Sequence, residues 1–69
     1  MDDGTAFRLL NEGQPVSLTI EGMRVDGVLV TGLRVSSVSP ASIDLLLPSR
    51  VGEPDNRRRV RLDKVELAV

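Results

Sequence analysis

The sequence predicts an all-β chain with one short N-terminal helix, folded as a strongly bent five-stranded small barrel. Three observations predict it. Apolar and polar residues alternate along most of the chain, as at Val16, Leu18 and Ile20 against Ser17, Thr19 and Glu21, the period of a half-buried strand. Glycines interrupt the apolar runs at Gly22, Gly27 and Gly32. A glycine inside a strand marks a bulge or sharp bend, and bends are how a small sheet curls on itself. Turn-forming clusters recur between the runs, as expected of an all-β domain.

Taken in order, residues 1–13 read as the helix and residues 14–69 as the barrel of one domain. Asp3 or Thr5 is placed to cap a helix through Ala6, Phe7, Arg8, Leu9, Leu10 and Asn11. Phe7 and Leu10 are three apart and share a face, and Gly13 is a natural stop. A helix this short must pack on the sheet to persist. Pro15 opens the first strand, and Glu21-Gly22 turns it into a second. Residues 24–38 read as one long bent strand, or as two joined at Thr31-Gly32, carrying the apolar series Val28, Leu29, Val30, Leu33, Val35 and Val38. Residues 36–42, with Pro40, are turn chemistry. Ile43 to Leu47 is the next strand, with Asp44 facing away from Ile43 and Leu45, and Pro48 ends it. Residues 49–56 form an exposed loop. Val60 and Leu62, then Val65, Leu67 and Val69, give two short strands with a tight turn near Asp63-Lys64.

Composition removes several function classes. With 69 residues the core is small, and the usual supports are disulfides, metals or oligomerisation. The chain has no cysteine and no histidine, so self-association is the support left, with a small monomer held by aliphatic packing as the alternative. No cofactor or metal is expected. No Ser/His/Asp or Cys/His set exists, and the acids have no spacing that forces a catalytic pair, so the expectation is a non-enzymatic protein. No apolar run is long enough for a bilayer, and the acidic start is unlike a signal peptide. A cytoplasmic protein is the default expectation.

Charge is uneven. Residues 1–49 carry Arg8, Arg24 and Arg34 against six acids, whereas residues 50–69 carry Arg50, Arg57, Arg58, Arg59, Arg61 and Lys64 against four. Arginine's planar fork suits phosphate and carboxylate. Binding of single-stranded RNA needs a basic track plus flat groups on which bases stack. The chain supplies the first through Arg61, Lys64 and Arg57-Arg58-Arg59, and for the second offers the guanidinium planes of Arg61 or Arg24. The plainer reading of Arg57-Arg58-Arg59 is a strand edge kept soluble by charge.

Two blocks resemble the Sm-like family, which includes the bacterial Hfq proteins. The run from Pro15-Val16-Ser17-Leu18-Thr19-Ile20 through Glu21-Gly22 to Gly27-Val28-Leu29-Val30 is similar to its first motif. Val60-Arg61-Leu62-Asp63-Lys64-Val65 keeps the Arg, the Asp and the last apolar position of its second. Where family RNA pockets carry Asp-x-x-Met-Asn, this chain has Val38-Ser39-Pro40-Ala41-Ser42, so Ser42 stands at the Asn, and Leu62 replaces the second-motif glycine. The resemblance implies an SH3-like/Sm-like barrel that forms a ring by pairing the fourth strand of one copy with the fifth of the next. It implies RNA binding, as a chaperone or scaffold, at Ser42, Arg61, Asp63 and Lys64. Ser42 and Arg61 would contact base and phosphate, and Asp63 would orient the loop. The alternatives are an oligomeric module of similar fold that binds protein without nucleic acid, and an SH3-type monomer for peptides. Against the last, Pro-rich peptide grooves are aromatic-lined and Phe7 is the only aromatic.

Overall fold

The computed structural model describes residues 1–68. Helix α1 spans Asp3–Glu12 and is followed by strands β1 (Val16–Ile20), β2 (Met23–Arg34), β3 (Ser42–Leu47) and β4 (Asn56–Arg61). A single 3₁₀ turn, Leu62–Lys64, leads into β5 (Val65–Leu67). All pairings are antiparallel, in the order β4-β3-β2-β1-β5. The sheet is bent but not closed: among the described residues β4 and β5 do not pair, so neither outer edge carries another strand, and on β5 the Met1 ammonium donates to the Val65 carbonyl at 2.6 Å. The expected fifth strand therefore pairs only with β1, and Val69 lies outside the described residues.

The α1 cap is Asp2, whose carboxylate accepts from the Thr5 backbone N–H at 2.7 Å. Asp3 and Thr5, the expected caps, lie inside the helix, and Asp2 has the extended backbone that a capping position needs. Gly13 ends the helix in the left-handed conformation, its N–H returning to the Leu9 carbonyl. The buried residues are Ala6 and Leu9, with Leu10 half-buried beside them; Phe7 is 59% exposed, contrary to the shared face expected for Phe7 and Leu10. Ala6 and Leu9 have the same three-residue spacing, and the smaller Ala6 lets the backbone approach the sheet closely.

Glu21 and Gly22 both have positive φ, 51° and 84°. That is the signature of a two-residue type I′ turn, whose twist matches the strands it joins, here at the Ile20–Met23 pair.

Strand β2 is one continuous strand, the first of the two expected readings, and it ends at Arg34. Val35 and Val38 lie beyond it and are exposed, which corrects their place in the apolar series. Two irregularities organise β2. Against β1 the register runs from Leu18–Val25 to Val16–Val28, so β2 carries one extra residue, beside Gly27 at φ 72°. Against β3 it runs from Val30–Leu45 to Gly32–Asp44, so Thr31 is extra. Each bulge inverts the inside–outside alternation. Val25, Val28, Val30 and Leu33, spaced three, two and three, therefore all lie against the core. Leu18, Ile20, Ile43, Leu45, Val60 and Val65 complete most of that core.

On the open side, turn and strand ends are tied by single bonds. The Glu21 N–H donates to the Lys64 carbonyl at 2.8 Å, and the Leu62 N–H to the Ala41 carbonyl at 2.8 Å. Leu62 is buried beneath them.

Deleting Thr31 removes the extra residue and leaves Val30, Gly32, Leu33 and Arg34 opposite Leu45, Asp44, Ile43 and Ser42 in regular alternation, so Leu33 stays inward and Arg34 outward. The expected loss is only about 1 kcal/mol. Thr31→Ala, which removes only an exposed hydrogen bond to the Asp44 carbonyl, should cost about 1 kcal/mol or less. Urea unfolding followed by circular dichroism measures both.

Candidate nucleic-acid interface

Across β2, β3 and β4 the outward residues form rows. Gly32, Asp44 and Arg59 are successive cross-strand partners, and so are Arg34, Ser42 and Arg61. The Asp44 carboxylate lies over Gly32, where an added Cβ would sit 2.8 Å from Asp44 Oδ2 and 3.4 Å from its Cβ. Glycine is needed here for space, since its φ is unexceptional. So seated, Asp44 accepts from Arg59 Nε at 3.0 Å through Oδ1 and from Arg34 Nε at 3.3 Å through Oδ2. The hydrogen bond from Arg59, with the charges of Arg34 and Arg59, holds its carboxyl below the usual aspartate value of 3.8, against a smaller opposing effect of burial.

Of the sequence-predicted site, Arg61, Asp63 and Lys64 come together. They line a groove of about 780 Å³ with Thr19, Glu21, Gly22, Arg59, Val60 and Glu66. Arg61 donates from Nη2 to Asp63 Oδ2 at 2.7 Å, a charge-assisted contact. Ser42 does not line this groove; it stands on the outward face between Arg34 and Arg61 in register. Arg24 bonds Asp26 at 3.1 Å and does not line the groove either. Ser17 and Arg24 keep the Asp26 carboxyl below its usual value.

The arginines of β4 are exposed and ion-paired. Arg57 approaches Asp55 at 3.5 Å, and Arg58 reaches Glu21 of the β1–β2 turn at 3.7 Å. The second pair spans the open side of the sheet. The groove's charges balance, with Arg59, Arg61 and Lys64 against Glu21, Asp63 and Glu66. Exposed pairs of this kind contribute little to stability, so a phosphate can replace a carboxylate partner at small cost. The balance also means the groove has no strong field of its own.

Sequence reasoning missed Arg34, Asp44 and Gly32 as one unit. The available signals were an acid on an otherwise apolar strand and a glycine in an apolar run. Their meeting depends on the β2–β3 register, which no local pattern states. Among the described residues no group of acids is arranged to hold a metal ion, and no helix is long and apolar enough to cross a membrane. No family model, curated protein or solved structure matches the chain.

Two predictions follow from Asp44. Gly32→Ala should cost roughly 1–3 kcal/mol by displacing the carboxylate, and in an Asp44→Ala background the same change should cost less, with a coupling of about 1 kcal/mol in a double-mutant cycle. Because its folded pKa is depressed, Asp44 stabilises the fold above the ordinary value of 3.8, and the contribution is lost as pH falls through the folded value. The stability gap between the native chain and Asp44→Asn should therefore be present at neutral pH and close below pH 3.8 in acid titrations of the unfolding midpoint.

Proposed function

We propose that this chain is a self-associating small β module of the SH3-like/Sm-like kind, assembling through its two sheet edges and taking single-stranded RNA along the Arg59–Arg61–Lys64 groove. The observation that carries the reading is the strand order: β4 and β5, at opposite ends of the sheet, each have an edge with no strand beside it, and on β5 a partner would displace the Met1 ammonium from the Val65 carbonyl. An open edge is a template for another strand, and two different edges on one copy give head-to-tail contacts that a ring closes. The groove adjoins both edges, since its lining comes from β4, the 3₁₀ turn and β5. In an assembly it would repeat from copy to copy and form a track.

Within that groove Arg61 and Lys64 would meet phosphate, Asp63 would hold the Arg61 fork, and Ser42, one strand away on the same face, would reach a base edge. Arg59, from the arginine run that the sequence offers either as basic track or as charged strand edge, joins them. The second reading is the same module binding protein without nucleic acid. The balanced charge of the groove favours it, because affinity for RNA rises with the net number of phosphates neutralised.

Sedimentation at micromolar concentration should show a discrete oligomer; a clean monomer at high concentration would refute the assembly. Oligo-U and oligo-A should bind at low salt and release as salt rises, and Arg61→Ala should weaken binding by about tenfold, the equivalent of one charged hydrogen bond. An oligomer that binds neither RNA at low salt would leave the protein-binding reading in its place.

A further inference from the structure

A second concavity, of about 420 Å³, lies on the outer face and is lined by Thr31, Arg34, Asp44, Leu45 and the three arginines Arg57, Arg58 and Arg59. Its charge differs from that of the first groove: the guanidinium groups of Arg34, Arg57 and Arg59 face one carboxylate, while Arg58, in register with buried Leu45, sends its side chain the other way toward Glu21. The carboxylate is also already committed. Asp44 holds Arg34 and Arg59 through their Nε atoms, one on each oxygen, which leaves both Nη ends of each fork for another acceptor. Arg57 contacts its acid only at 3.5 Å, longer than a good hydrogen bond, and that acid, Asp55, does not line the concavity. The bulge at Thr31 sets this arrangement, because it turns Arg34 outward and seats Asp44 over Gly32.

We propose that this concavity is a binding site for a small, multiply charged phosphate anion of the diphosphate type. Arg34 and Arg59 are the fork that grips it, Arg57 supplies further charge, and Asp44 is the positioning residue that fixes the fork. Two prepositioned guanidinium groups match the oxygens of a phosphate through paired N–H donors. A single carboxylate ligand would leave most of those donors unused, so the site favours higher charge. The site shares Arg59 with the RNA groove, and Arg34 belongs to this site alone.

The test is a titration of the ¹⁵N-labelled chain with inorganic pyrophosphate, read at the arginine Nε–H resonances, with sodium chloride added at matched ionic strength as the reference. Pyrophosphate should produce saturable shifts at Arg34 and Arg59 that chloride does not. Arg34→Gln should weaken the interaction by about tenfold, a loss typical of one charged hydrogen-bonding partner. Arg8→Gln, an exposed arginine on α1, should leave it unchanged. Oligo-U binding should survive Arg34→Gln, which separates failure here from failure of the RNA reading. Comparing 5′-phosphorylated with 5′-hydroxyl oligo-U distinguishes a strand end from a free anion: competition with pyrophosphate by the phosphorylated strand alone assigns the strand end, and competition by neither assigns the free anion. Linear shifts equal to those from chloride, or equal weakening by Arg34→Gln and Arg8→Gln, would overturn the site.

Discussion

The structure depends on one strand meeting two requirements at once. Strand β2 pairs with β1 through its first half and with β3 through its second, and it must turn its apolar side inward in both. A regular twelve-residue strand of this sequence fails, because Val25 and Val28, and again Val30 and Leu33, are separated by odd intervals. One extra residue at each interval repairs the alternation. Gly27 takes the left-handed backbone that the first bulge needs, and Gly32 gives room beside the second. The bend of the sheet, the burial of Leu33 and the outward face of Arg34 follow together.

The same geometry writes the electrostatics of the outer face. Once Gly32 stands opposite Asp44, the carboxylate has a seat, and the arginines on either side of it converge. The β4 edge then carries its arginines in two settings. In the groove beside the 3₁₀ turn they are matched by acids, and on the outer face they outnumber them. Assembly and RNA are proposals about the first setting and the sheet edges; the phosphate anion is a proposal about the second. The arginine run also guards an open edge against indiscriminate pairing, so a specific partner edge must displace or accommodate that charge.

Much of the fold was legible in the sequence. Gly13, the Glu21-Gly22 turn, the bend at Gly27 and the outward Asp44 each have a local cause that the residue type states. The α1 cap was misassigned because three polar residues crowd the start of the chain and only backbone conformation selects Asp2. Phe7 was misplaced because one helical turn offers two faces with equal spacing. The extension of β2 to Val38 rests on apolar character alone, and among the described residues Val35 and Val38 have no partner strand. Of the site residues, Arg61, Asp63 and Lys64 are close in sequence and so were easily grouped. Arg34, Asp44 and Arg59 lie on three strands, and only register joins them. The odd spacing of apolar residues in β2 did encode both bulges, but it becomes readable only once the strand is known to be continuous.

The account stands on that register, and cross-strand nuclear Overhauser contacts between backbone protons test it most directly. The bulged strand predicts contacts between Val16 and Val28 and between Gly32 and Asp44, alongside Leu18–Val25 and Val30–Leu45. Contacts between Val16 and Gly27 and between Thr31 and Asp44 would show an unbroken ladder instead, and would contradict both the packing of β2 and the outer face built on it.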